Sequence, residues 1–296
     1  MNNKALLTVL SACGLLFGLA SCSNEPESKT TMSSRVSNYF VPDDLNGEIS
    51  VQHNCTYAMM FDNIKGEMTM SATSVEVPGT NGISFTTSPM RFTPYTFENN
   101  QSIDFYNGEA SEVEDINGYL TNMVFYLSPA YDPFTNITPN PMLVMSYKTD
   151  GYEVRTFSPN AYFSGETKTS YDMGAGEQTY TTKDAMYRVN FAQDMTTANV
   201  VIYNAKFVES MKAINVILRD LPVTLTRDGY RISVSDVVPE LMDGSVATPY
   251  PSRTFTSLEI KSSSDLSKID CDYVVADVFK GQFSGFSCDR FVPIYN

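Results

Sequence analysis

The chain has 296 residues, 42% of them hydrophobic and 12% aromatic, with 18 Phe, 18 Tyr and 15 Met. That is enough apolar material for real cores and excludes wholesale disorder. A formal charge of −14 argues against nucleic acid, and against lipid surfaces held by charge, because phosphate binding needs clustered Lys and Arg.

In chain order, the first element is a short basic start with Lys4, followed by an apolar run from Ala5 to Ala20 that carries no charge. The run falls short of the ~20 residues that span a bilayer, but it has the length and flanks of an export signal. It closes on Leu19-Ala20-Ser21-Cys22, which resembles the bacterial lipobox (Leu, small, small, Cys). The resemblance implies cleavage before Cys22 and a diacylglyceryl thioether on its sulfur. Residues 1–21 are then a lipoprotein signal peptide. The polar, aperiodic stretch 22–46 reads as a flexible tether. Glu25 and Glu27 resemble the acidic signal by which Bacteroidota send lipoproteins to the cell surface.

Beyond the tether, the pattern is strands. Short alternating segments such as Ile49–Val51, Gly66–Val77, Met123–Leu127, Met142–Tyr147, Asn199–Phe207, Tyr230–Val234 and Tyr273–Phe279 are separated by Pro-Gly, Asn-Gly, Asp-Gly and Lys-Gly pairs. The one helical candidate, Lys206 to Leu218, faces a Pro-Gly pair in the other half of the chain and so reads as strand, turn, strand.

That comparison rests on four ordered echoes. Tyr57–Phe61 returns as Tyr187–Phe191, Met68–Val75 as Val200–Phe207, Ser88–Thr93 as Leu221–Thr226, and Phe163-Ser164-Gly165 as Phe283-Ser284-Gly285. A period this long implies a duplicated domain rather than a solenoid, whose units run ~20–50 residues. The expected fold is therefore all-β, with two tandem related antiparallel domains at 47–168 and 185–296 joined by a Gly-bearing linker at 169–184. A calycin-like barrel is favoured over an immunoglobulin-like sandwich because the strands follow through short hairpins.

Residues able to carry chemistry are sparse. The single histidine, His53, lies two residues from Cys55, but structural zinc needs four ligands and no Gly-x-Ser-x-Gly elbow surrounds any serine. The acidic run Glu109, Glu112, Glu114 and Asp115 lacks regular calcium-loop spacing. No catalytic residue, metal ligand or cofactor is assigned, and the protein is expected not to be an enzyme. Cys22 is assigned to lipid, and a bridge between Cys271 and Cys288 across a hairpin is left open. The Pro-rich loop 128–141 presents Tyr131 and Phe134, with Tyr250 as a lesser counterpart, as candidate ligand-binding aromatics.

The lipobox, acidic tether and Tyr/Asn/Thr-rich tandem β-domains resemble the cell-envelope lipoproteins of Bacteroides and relatives. The resemblance implies an outer-membrane protein held by its lipid on the periplasmic or surface face. Its expected role is non-enzymatic binding of a glycan or small apolar ligand. The alternative is a structural or adhesive accessory subunit that contacts another surface protein.

Overall fold

The computed structural model describes residues 29–62, 64–87, 89–91, 93–95, 105–110, 121–128, 142–157, 160–244, 246–264, 266 and 268–287. They form two antiparallel β-structures and no α-helix. The first is a curled sheet of ten strands: β1 (Lys29–Pro42), β2 (Ser50–Asp62), β3 (Glu67–Val75), β4 (Ile83–Thr86), β5 (Met90–Arg91), β6 (Thr93–Tyr95), β7 (Phe105–Ala110), β8 (Thr121–Ser128), β9 (Met142–Thr149) and β10 (Tyr152–Phe157). The last strand returns to pair with the first, giving the order β4-β3-β2-β1-β10-β9-β8-β7-β6, with β5 paired to β3.

The second structure comprises β11 (Asn160–Tyr171), β12 (Gln178–Thr182), β13 (Met186–Phe191), β14 (Thr197–Ala205), β15 (Ile214–Thr226), β16 (Gly229–Val234), β17 (Glu240–Asp243), β18 (Val246–Pro249), β19 (Phe255–Ser262), β20 (Lys268–Val275) and β21 (Phe279–Ser287). Eight of these close a circuit, β11-β13-β14-β15-β16-β19-β20-β21 and back to β11. This is an up-and-down antiparallel barrel of the calycin-like kind, and the first sheet is a half-barrel on the same plan. Closure removes unpaired edges from the barrel wall. The small strands β12, β17 and β18 are appended to it.

Alternation drives both structures. In β2 the residues Cys55, Tyr57, Met59 and Phe61 are buried while Thr56, Ala58 and Met60 between them are exposed. Inward side chains from every wall strand fill the barrel, among them Tyr187, Ile202, Leu218, Ile232, Leu258 and Cys271. The half-barrel encloses a methionine-rich core around Met59, Met68, Met70 and Met145.

The two structures repeat one plan in detail. Ser74 in β3 and Asn204 in β14, 130 residues later, both take left-handed backbone (φ 56° and 52°) at a register shift. In each the freed amide donates to a side chain on the next strand, Ser84 Oγ at 3.1 Å and Asn215 Oδ1 at 2.9 Å. Tyr57 aligns with Ala72, and Tyr187 with Ile202, so the β2–β3 and β13–β14 hairpins match at a common offset of 130. The sequence echo over β3 is therefore two residues out of register, although it falls on equivalent strands.

Three expectations are corrected. First, residues 29–42 are not tether but β1, the strand between β2 and β10. Its polar look comes from Ser and Asn at positions that are buried and hydrogen-bonded. Second, 169–184 is not a linker. Gly174 and Gly176 (φ 94° and 89°) form the turn of the β11–β12 hairpin, and the chain changes sheets between Phe157 and Asn160. Third, Phe163-Ser-Gly and Phe283-Ser-Gly are not equivalent positions of two copies. They lie on the first and last strands of one barrel, and Gly165 sits directly opposite Gly285 at the closing seam.

A Cβ on Gly165 would lie 1.9 Å from the Ser284 carbonyl oxygen and 2.5 Å from Gly285 Cα, both backbone. Gly165→Ala should therefore part the closing strands and cost at least the ~1–3 kcal/mol typical of overpacking. Gly174→Ala, with nothing near its Cβ, should cost only the ~1 kcal/mol of left-handed backbone. Urea melts of the two variants check this ordering; equal losses would remove the close approach as the reason for glycine at the seam.

Candidate functional site

Cys22, Tyr131, Phe134 and Cys288 lie outside the described residues, as do Glu112, Glu114 and Asp115; Glu109 falls in β7. Cys271 is a free thiol in the barrel core, and burial pushes its pKa well above the usual thiol range. Tyr250 is half-buried at the start of a short 3-10 turn, with its backbone N–H on the Pro239 carbonyl.

His53 and Cys55 do not share a face, although two residues apart in a strand. Asn54 (φ 60°) makes a bulge in which His53 and Asn54 together oppose Ser37. The His53 ring then meets Ser37 Oγ at 3.3 Å on one face, while Cys55 turns into the half-barrel core with Tyr57. Among the described residues no group of three or more His, Cys, Asp or Glu is placed to hold a metal.

The buried polar groups form a structural chain. Tyr57 Oη donates to Asn38 Oδ1 and lies 2.9 Å from Tyr147 Oη, which leaves Tyr147 as the donor to Tyr57. Asn38 Nδ2 passes on to Gln52 Oε1, and Gln52 Nε2 ends on the carbonyl of Ser74, the bulge residue. The barrel holds the counterpart pair Tyr187 and Tyr273, with Thr169 Oγ1 3.5 Å from the Tyr273 hydroxyl. These groups anchor strands to one another, and only the Gln52 end of the chain reaches solvent.

An opening that does face solvent lies on the outer barrel wall, a groove of about 380 Å³. That size falls within the ~300–1,000 Å³ usual for ligand pockets. Alternation along β11, β20 and β21 sends every second residue outward, and their pairing aligns those residues in rungs. Lys168, Gln282 and Asp272 make one rung; Ser170, Lys280 and Val274 make the next. Gln282 Nε2 donates to Asp272 Oδ1 at 3.1 Å. Ser257 of β19 and Glu177 of the β11–β12 loop complete the lining, and Tyr250 is not part of it.

The floor explains a misplaced turn. Lys280-Gly281 reads as a turn, but the hairpin turn is Ala276-Asp277, both left-handed (φ 51° and 58°), and Gly281 sits within β21 opposite Tyr273. A Cβ there would be 1.9 Å from the Tyr273 ring, so glycine is what lets that ring lie against the wall. None of the groove residues is singled out by sequence, because Lys168 and Gln282 are 114 positions apart and meet only on closure.

Comparison with protein-family models and with curated protein sequences returns no match.

Burial raises the phenol of Tyr39 to about 12, with Arg155 nearby pulling the other way, and holds Tyr57, Tyr147, Tyr187, Tyr230 and Tyr273 above the ordinary value as well. A raised native pKa means the native state retains protons that the unfolded chain releases. Stability from these groups is complete below the unfolded value of ~10 and is lost as pH rises towards 12 and beyond. The urea midpoint should therefore begin to fall above pH ~8.5, where the buried thiols Cys55 and Cys271 contribute, and drop further between about 10 and 12 as the tyrosines do. Phenolate absorbance should rise together with unfolding; a smooth rise in still-folded protein would contradict the burial.

Proposed function

We propose that the protein is a lipid-anchored, non-enzymatic binding protein of the outer membrane, and that its ligand is hydroxyl-rich, as a glycan is. The anchor follows from the lipobox resemblance at Leu19–Cys22. No helix among the described residues is long and apolar enough to cross a membrane.

The groove of the barrel wall carries the ligand class. It sets an ammonium, a carboxylate, an amide and a hydroxyl side by side within two rungs. Such a surface offers both donors and acceptors to a ligand that presents both, as a sugar does. The described barrel interior, by contrast, is occupied by the protein's own side chains, which supports the glycan over the small apolar ligand.

Two experiments test the two halves. Cys22→Ala should move the protein from the membrane fraction to the soluble one or leave it unprocessed; a variant that keeps the acyl-shifted mass refutes the anchor. Gln282→Ala and Asp272→Ala should each weaken glycan binding in titration calorimetry by about tenfold, the ~1.4 kcal/mol of one or two lost hydrogen bonds. Both side chains are exposed and should leave stability within ~0.5 kcal/mol. Unchanged affinity in both variants rules out the groove as the binding face.

A further inference from the structure

We propose that the end of the half-barrel carrying the β2–β3 hairpin is a membrane-contact surface, with Ile64 as its apolar tip. This rests on the anchored reading above.

β1 begins at Lys29, seven residues beyond Cys22. Seven residues span at most ~25 Å, so a lipid on Cys22 holds this end of the sheet near the bilayer. Lys29 is paired with Asp62, the last residue of β2, so the hairpin turns over beside the point where the chain enters the fold. Ile64 at that turn is 71% exposed and Met60, on the outer face of β2, is 41% exposed.

Neither side chain serves the core. An isoleucine at a hairpin tip gains by leaving water for an acyl boundary.

The charges agree. Around a shallow opening of about 130 Å³ at this end, Lys29 and Lys65 are matched by Asp62 and Glu67. The patch is locally neutral on a chain of net charge −14, so its approach to a lipid surface meets little local repulsion. The opposite end of β1 and β2 is unsuited to the role. It carries Asp43, Asp44 and Glu48, and it is held to the barrel by Arg227, which donates to the carbonyls of Pro42 and Asp44. Contact through Ile64 therefore places the barrel on the far side of the half-barrel from the membrane.

The chain contains no tryptophan, so a single one reports its own surroundings. Ile64→Trp and Leu45→Trp, the latter at an 81%-exposed site in the β1–β2 loop, are made in the full lipidated protein. Each is reconstituted on phosphatidylcholine vesicles with and without brominated lipid, after thermal melts confirm native stability. Flotation of the wild type, with Cys22→Ala as the non-floating control, comes first. The expected result is a blue shift and several-fold stronger quenching for the Ile64→Trp fluorophore than for the Leu45→Trp one. Equal quenching of both, or none in protein that floats, overturns the contact surface and leaves the anchor standing. Failure of the wild type to float removes the anchor, and the contact surface with it.

Discussion

Over its second half, Val36 to Pro42, β1 has no face turned to water, and the rest of the molecule depends on that. Its even-numbered residues Val36 and Phe40 enter the half-barrel core, while Tyr39 and Val41 on the other face enter the barrel core. A strand buried on both sides must satisfy its polar groups internally. Here the Tyr39 hydroxyl donates to the Gly229 carbonyl at 3.3 Å. Arg155, itself buried, lies over the Tyr39 ring, pairs with Glu153 and donates to the Arg227 carbonyl. Arg227 in turn donates to Pro42 and Asp44. The two β-structures are thus joined by packing and by a reciprocal set of arginine-to-carbonyl bonds at the β15–β16 turn.

The all-β class, the barrel-like plan and strands such as β3, β8, β9, β14 and β16 were legible in the sequence because alternation and turn residues are local signals. β1 was not. Its Ser34, Ser37 and Asn38 read as tether, and only the half-barrel's own geometry shows Asn38 accepting from Tyr57 in the core. Alternation identifies a strand with one wet face; a stretch covered on both faces, as Val36 to Pro42 is, with polar residues in the network, lacks that signature. The β20–β21 turn was missed for a similar reason, since Ala276 and Asp277 adopt left-handed backbone where Gly or Asn is the usual sign. The Phe-Ser-Gly echo was a true signal of the wrong relation. It marks two strands that touch rather than two copies that match.

The candidate groove was not legible at all. Each of its side chains is an ordinary outward polar residue in an alternating strand, and nothing distinguishes Gln282 from its neighbours until closure sets it between Lys168 and Asp272. The buried tyrosines gave the opposite experience. Tyr57 and Tyr187 stood out as echoes, and both prove to be core residues that knit strands together. In this protein the conspicuous residues hold the architecture, and the inconspicuous ones face the solvent where a ligand would come.

Each structure is completed by pairing its last strand to its first: β10 to β1, and β21 to β11. A chain that emerges from its N-terminus must keep β1 waiting for a partner more than a hundred residues behind it. Contacts so distant in sequence are formed late and make folding slow. During that interval the half of β1 that has no solvent face in the finished protein stands uncovered, and exposed apolar surface of this kind favours aggregation. Ser34, Ser37 and Asn38 leave β1 less apolar than its burial in the finished fold would suggest, which lessens that exposure until β10 arrives.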